Sequence, residues 1–232
     1  MVKVFALIPR RPDISDEQFH QHWSTTHADH AKRITTLQRY VQSHRIDPGV
    51  ADLEDSIYEG VAEVWFVDLA TAAGMGEDPN YVDYAQADEP NFIDLERLTF
   101  VMTAEDVVRE GAQVLKEDPG AKAMLLLRRR AGLEPAAFAG QLRDAGSAIA
   151  DAAPDATRVV VCTALADTYT DEAEPAFDGI VELWFDSAEA FELSWSPEVL
   201  NAVGELIDHD NSASFLADEL RVIWPEEARA TA

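Results

Sequence analysis

Shifted by 119 positions, the 232-residue chain reads onto itself: Lys3, Leu7, Arg10, Arg11 and Phe19 fall on Lys122, Leu126, Arg129, Arg130 and Phe138. At the same offset, Gly60-Val61-Ala62-Glu63-Val64-Trp65-Phe66 falls on Gly179-Ile180-Val181-Glu182-Leu183-Trp184-Phe185. A period of this length is that of a domain and not of a solenoid turn, so the chain reads as one unit used twice. The halves, 1–112 and 121–232, are each large enough for a core of their own. A polar segment from Arg109 to Gly120 joins them.

Within the first half, Val2 to Ile8 is a short apolar run stopped by Pro9, which suits a strand covered on both faces. Ser15 followed by Asp16, Glu17 and Gln18 offers a hydroxyl cap, predicting a helix from Asp16 to about Thr35. Arg39 to Ile46, Tyr58 to Val67 and Leu98 to Met102 read as further strands, and Tyr81 to Asp88 as the continuous part of a second helical region. Disorder is expected only at the ends and in the Asp47–Ser56 loop. The order β-α-β-β-α-β recurs from Lys122 to Trp224, with about three extra residues expected before the last strand. The expected fold class is therefore α+β, with two ferredoxin-like βαββαβ units. In the third strand neither Ala62, Val64 and Phe66 nor Val61, Glu63 and Trp65 form a face made for water. One face should meet helices and the other a second sheet, so the two units should form an intramolecular, pseudo-dimeric α/β barrel.

A formal net charge of -26 repels phosphate backbones and anionic headgroups, so neither nucleic acid nor a membrane surface is an expected partner. The single cysteine, Cys162, excludes an intrachain disulfide, and no apolar run approaches the roughly 20 residues of a membrane span. With no signal-peptide pattern, a cytoplasmic location is the expectation. The protein would be a monomer acting as its own pseudo-dimer, or a homodimer.

Trp23-Ser24-Thr25-Thr26-His27-Ala28, Leu37-Gln38-Arg39-Tyr40-Val41-Gln42, the Gly60–Phe66 run and Asp88-Glu89-Pro90-Asn91-Phe92 together resemble the EthD family. The resemblance implies the barrel fold just described and a class of small-molecule enzymes that includes lyases, decarboxylases, dehydratases and lactone isomerases. The second half keeps the Gly179–Phe185 motif and a weaker match at Asp210 to Phe215. It departs at Trp-x-x-x-His, where Leu142 and Gly146 replace Trp23 and His27.

The copies differ most in their histidines. His20, His22, His27 and His30 crowd the first predicted helix, where Phe19, Trp23, His30 and Ile34 form one stripe with His27 at its margin. The repeat places Phe138, Leu142 and Ile149 at the positions of Phe19, Trp23 and His30, so His30 is expected to point into the core. In the EthD pattern the position of His30 is usually apolar. His20 and His22, matched by Ala139 and Gln141, read as structural or surface residues. Two histidines on adjoining turns over an apolar pocket could serve as base and acid. A metal site is not expected, since no His-x-x-x-His pair or HExxH motif occurs.

Tyr40, Gln42 and His44 share one face of the second strand, and the resemblance implies a tyrosine at the position of Tyr40. Glu63 could orient a histidine, but Glu182 repeats it where the histidines are missing, which favours a structural role. The expected catalytic residues are His27, His30 and Tyr40, and the expected substrate-binding residues are Phe19, Trp23, His44, Glu63 and Trp65. The expected activity is that of a cofactor-independent lyase or isomerase acting on a hydrophobic cyclic or aromatic molecule. A cofactor-free monooxygenase of a phenolic substrate and a non-catalytic carrier are the alternatives.

Overall fold

The computed structural model describes residues 1–46, 53–114, 117–170 and 173–224. Its strands are β1 (Val2–Ile8), β2 (Arg39–Ile46), β3 (Glu54–Asp55), β4 (Gly60–Phe66), β5 (Thr99–Arg109), β6 (Ala121–Leu127), β7 (Arg158–Ala164), β8 (Gly179–Phe185) and β9 (Ala213–Ile223). In the order β2-β4-β1-β5-β7-β8-β6-β9 they close into an eight-stranded antiparallel barrel, since β9 also pairs with β2. The short β3 adds a parallel pair to β9. It lies in the part of the Asp47–Ser56 loop that is described; residues 47–52 fall outside the described residues.

Closure depends on the two long strands. β5 pairs with β1 from Thr99 to Thr103 and then with β7 from Thr103 to Arg109. β9 bridges β6 and β2 in the same manner. The halves are thus sealed by backbone hydrogen bonds at two seams, and β5 runs well past the expected end at Met102. That extension is stabilised by a partner fifty or more residues away, which local periodicity does not report.

A helix layer covers the outside of the barrel. Helix α1 (Asp16–His22) starts with the expected capping box: the Ser15 hydroxyl accepts from the Gln18 N–H at 3.2 Å, and the Gln18 side chain accepts from the Ser15 N–H at 2.9 Å. A π-helical turn, Trp23–His27, follows and leads into α2 (Ala28–Ala31), so the continuous helix expected to Thr35 is interrupted and shorter. After β4 come α3 (Leu69–Ala73), a 3₁₀ turn (Gly74–Glu77), a second π turn (Tyr81–Gln86) and a 3₁₀ turn (Glu89–Asn91). The second half carries one unbroken helix, α4 (Pro135–Ala152), then α5 (Ala188–Ser194) and α6 (Glu198–Asn201).

Two glycines explain how tightly helix and sheet meet. A Cβ at Gly60 would overlap the Trp23 indole, and one at Gly179 would overlap Leu142. The first residue of each repeated strand motif is therefore glycine because a bulky helical side chain rests on its backbone.

As expected from the alternation in β4, Ala62, Val64 and Phe66 face the helices, whereas Val61, Glu63 and Trp65 face the barrel interior. One part of that interior is apolar, with Phe5, Leu7, Met124, Leu126 and Phe215. The other is charged: Lys3 Nζ lies 2.6 Å from Glu182 and 2.9 Å from Glu63, and Lys122 pairs with Glu63, Glu182 and Glu219. Burial opposes the charge of Lys3, but Glu182 and Glu63 outweigh it and hold the ammonium form. Glu63 is pulled below the usual carboxylate range despite its burial, chiefly by Lys122 and Lys3.

The correspondence between the halves changes before the last strand. Ile93 bridges to Arg10 and Ile207 to Arg129, an offset of 114, and Lys3 opposite Thr103 matches Lys122 opposite Ala217 at that same offset. The second half is shorter here, not longer, and the match at Asp210–Phe215 is out of register. Asp88 and Glu89 correspond instead to Ala202 and Val203.

Candidate active site

Between the outer face of the first-half sheet and its helix layer lies a cavity of about 60 Å³. Val4, Ala6, Ala62 and Val64 form its sheet side, Ala31 of α2 and Ile34 and Leu37 beyond it the opposite side, and Met75 and Phe100 its rim, Phe100 being 41 % exposed. Into this apolar wall project the polar side chains of His27, Tyr40, Tyr81 and Glu89.

His27 reaches the cavity because of the π turn. The wider turn, in which the Ala28 N–H contacts the Trp23 carbonyl, inserts about one residue into the helical count and rotates all that follows by about 100°. His27 and Ala31 line the cavity as a result, while His30 falls outside its lining. His30 does not line the cavity: it is half-buried, its ring stacks on Tyr84 at 6.1 Å, and the core position expected for it is not observed.

His27 Nδ1 lies 3.1 Å from Asp88 Oδ2. The same carboxylate holds His22 Nε2 at 2.9 Å and accepts from Asn91 Nδ2 at 2.9 Å. Burial disfavours the Asp88 charge, but these three hydrogen bonds outweigh it and keep Asp88 ionised far below the usual range. An ionised partner at Nδ1 fixes the proton there and leaves Nε2 of His27 with a lone pair to serve the cavity. Burial also lowers the His27 pKa, more than the Asp88 hydrogen bond raises it, so the ring is neutral at pH 7.

Glu89 occupies the opposite chemical role. Burial pushes its pKa up to about 7, with the Asp88 charge adding to the rise and the hydrogen bond from Tyr81 opposing it. Tyr81 donates to Glu89 Oε1 at 2.8 Å. Tyr81 opens the second π turn, so both π turns among the described residues border one cavity.

Tyr40 is set by a longer chain of hydrogen bonds. Its oxygen accepts from Trp23 Nε1 at 3.1 Å and from Gln42 Nε2 at 2.9 Å, which leaves its own proton free to be donated. Gln42 Oε1 faces His44 Nε2 at 3.1 Å, and His44 Nδ1 faces His20 Nδ1 at 2.8 Å. Burial raises the Tyr40 pKa well beyond its ordinary value, so the phenol stays protonated. Burial and nearby His20 lower His44 to about 3, which keeps it neutral.

The expected site residues therefore divide. His27 and Tyr40 line the cavity. Trp23 and Phe19 lie behind it, with Trp23 orienting Tyr40 and Phe19 packing on Trp23 at 5.5 Å. His44 stacks on Trp23 at 4.4 Å and opens to an outer groove, not to the cavity. Glu63 and Trp65 are on the other face of β4, inside the barrel, where Trp65 Nε1 donates to Glu105 at 2.7 Å. Asp88, Glu89 and Tyr81 were missed. The Asp88–Phe92 run was visible, but in sequence it marks a landmark, and nothing in its spacing says that its two acids meet different partners.

In the second half the matching layer is apolar. At the 119-residue offset Gly146 matches His27 and Val159 matches Tyr40 in sequence, and a Cβ at Gly146 would meet Val108. Among the described residues no helix is long and apolar enough to cross a membrane.

Residues 11–96 match the family model described as EthD domain. No curated protein matches the chain in sequence. Among solved structures, an anthrone oxidase-like protein superposes with a TM-score of 0.61 at 10% identity, over 95% of this chain and 93% of its own. A candidate monooxygenase from Lactobacillus acidophilus NCFM gives 0.51 at 9% identity over 96% and 93%. One from Fusobacterium nucleatum gives 0.51 at 8% identity over 96% and 92%. At these identities the likeness is one of fold.

Proposed function

Residues 11–96 match the EthD domain model, and on that match we propose that this protein is an enzyme moving protons within a small hydrophobic, cyclic or aromatic molecule. The observation that carries the reading is one apolar cavity containing both a neutral imidazole oriented by Asp88 and a Glu89 carboxyl that titrates near neutrality. Groups with pKa values close to the working pH, held apart by their surroundings, are what acid–base catalysis requires.

In this reading His27 Nε2 takes a proton from a carbon beside a carbonyl, and the electron pair moves into the enolate. Tyr40 donates a hydrogen bond to the developing oxyanion, and Glu89 supplies the proton to a leaving group or to a second carbon. Return of the proton elsewhere gives isomerisation; loss of the leaving group gives elimination. Glu89 takes the part that His30 was expected to play. The apolar walls exclude water and strengthen each of these interactions.

The cavity of about 60 Å³ is smaller than the roughly 150 Å³ that benzene occupies in an engineered protein cavity. A ring enters by displacement of the Met75 turn and the Tyr81–Gln86 turn at the rim. The barrel is read as two ferredoxin-like units, 1–112 and 121–232. The second then acts as a built-in partner without a matching acid–base pair, and the chain needs no other copy to close its sheet.

A second reading, oxygenation of a phenol without a cofactor, is favoured by the same base beside an apolar pocket, and the solved neighbours named above include oxidase-like and monooxygenase-type proteins. Assay of a panel of cyclic ketones, lactones and phenols in air and under strict anaerobiosis separates the two. Turnover that survives anaerobiosis supports proton transfer; turnover that stops supports oxygenation; binding with neither marks a carrier.

A further inference from the structure

The hydrogen bonds that lead to Tyr40 have a fixed direction, which one backbone carbonyl sets. Gln42 Nε2 donates to the Trp23 carbonyl oxygen at 2.8 Å. A carbonyl can only accept, so the orientation of the Gln42 amide follows, and Oε1 is the atom that faces His44. That oxygen also only accepts, so His44 Nε2 carries a proton and, the ring being neutral, His44 Nδ1 is bare. His20 Nδ1, 2.8 Å away, must then be the donor to it. At the other end Gln42 Nε2 donates to the Tyr40 oxygen at 2.9 Å, and the phenol proton is left for the cavity. Every donor in the series His20, His44, Gln42, Tyr40 thus points the same way, from an outer groove toward the cavity. Hydrogen bonds aligned in this manner polarise one another, each by roughly 10–30%.

The second half builds the same layer without the series. The strand pairs Tyr40–Val64, Gln42–Ala62 and His44–Gly60 recur as Val159–Leu183, Val161–Val181 and Thr163–Gly179. A Cβ at Gly179 would overlap Leu142 as one at Gly60 would overlap Trp23. Helix and sheet therefore meet in that half with no histidine, amide or phenol at these positions. Tyr40 and Gln42 are 2% and 0% exposed, and polar groups so deeply buried cost free energy unless each is hydrogen-bonded. Packing does not require the series, and what distinguishes the half that carries it is a phenol at the cavity.

We propose that His20 and His44 are positioning residues that act through Gln42 to make Tyr40 a stronger hydrogen-bond donor than a buried phenol would be alone. The proposal rests on the reading of Tyr40 as the donor to a developing oxyanion. As the phenol proton is drawn toward that oxygen, electron density rises on the Tyr40 oxygen, the Gln42 bond tightens, and the bonds from His44 and His20 tighten behind it. No proton crosses the amide. Glu17, Arg45 and Asp218 stand around the histidine pair in the groove. Burial lowers the His20 pKa, with Asp16 raising and Arg10 further lowering it, so this ring is neutral at pH 7 like its partner.

The acidity of the phenol at position 40 reports the effect with no substrate present. The full chain is prepared with 2,3,5-trifluorotyrosine at that position, which brings the titration toward neutral pH, and the phenolate is followed by its absorbance. The expected result is an acidity about two- to threefold lower in His44→Phe and a smaller loss in His20→Phe. His44→Gln, whose amide nitrogen can replace Nε2 as donor, should restore the wild-type value. Phenylalanine keeps a ring against Trp23, where His44 now lies at 4.4 Å, so a merely structural role would leave the acidity alone. Unchanged acidity in either folded phenylalanine variant, or the same loss in His44→Gln as in His44→Phe, overturns the proposal. Nitrogen NMR of the wild-type His44 ring is an independent check: a proton on Nε2 with a bare Nδ1 is expected, and the reverse overturns it even if a variant fails to fold. Turnover plays no part in either measurement, so a protein that fails to act on cyclic ketones would contradict the proposed function and leave this result standing.

Discussion

Asp88 holds two histidines at once, His22 Nε2 at 2.9 Å and His27 Nδ1 at 3.1 Å, and only one of those rings lines the cavity. The carboxylate acts as a clamp that sets the tautomer of His27 from behind. Asp88→Asn keeps the shape but not the charge, so Nδ1 is no longer the favoured protonation site. We expect turnover to fall by about 10²-fold, in the range seen when groups behind a working histidine are changed. Nitrogen NMR of the His27 ring checks the cause, with the Nδ1–H form dominant in the wild type and mixed in the variant.

Glu89 gives a pH dependence of stability with a definite sign. Its folded pKa, about 7, is raised above the ordinary carboxyl value of 4.5, so the folded state binds its proton more tightly than the unfolded state. Stability from this group is complete below about pH 4.5 and lost as pH rises through 7. Glu89→Gln keeps an acceptor for Tyr81 and removes the titration. Denaturation across pH 4 to 8 should show the variant gaining on the wild type as pH rises, by roughly 3 kcal/mol at the upper end.

The barrel interior makes a sharper stability prediction. Lys3→Met leaves Glu182 and Glu63 short of a partner at 0% and 1% exposure. Loss of one member of a buried pair costs about 3–5 kcal/mol, whereas removing both members costs less than the sum. A denaturation cycle of Lys3→Met, Glu182→Gln and the double variant tests this, the expected coupling being about 1–3 kcal/mol.

What sequence alone revealed follows from the range of the interactions concerned. The strand alternation, the Ser15 cap and the glycine that begins each strand motif are set by neighbours close in the chain or by a repeat that is visible directly. The barrel also followed, because two water-averse faces on β4 demanded two covers. The seams β5–β7 and β2–β9 did not, since they rest on partners far away in sequence. His30 was misplaced because a helical count of 3.6 residues per turn cannot include a π turn that only the packed structure displays. Glu63 and Trp65 were grouped with His27 although β4 sends them to the opposite face. The register before β9 was misjudged because an acidic match at Asp210 resembled Asp88 while the hydrogen bonds of Arg10 and Arg129 align Asp88 with Ala202.

That geometry gives a paired prediction. His30→Gln should leave turnover within about threefold, because the ring packs on Tyr84 and does not line the cavity. His27→Gln should reduce it by about 10²–10⁴-fold, the usual contribution of a positioned proton-transfer group. Similar losses in both would return His30 to the site.

The central claim is that His27 is a carbon base, and it can be measured without knowing the natural product. Cyclic ketones and lactones are incubated with the protein in deuterium oxide, and exchange of the protons beside the carbonyl is followed by proton NMR. The account expects exchange accelerated by the wild type and by His30→Gln, and lost in a folded His27→Gln. Exchange as fast in His27→Gln as in the wild type would contradict it.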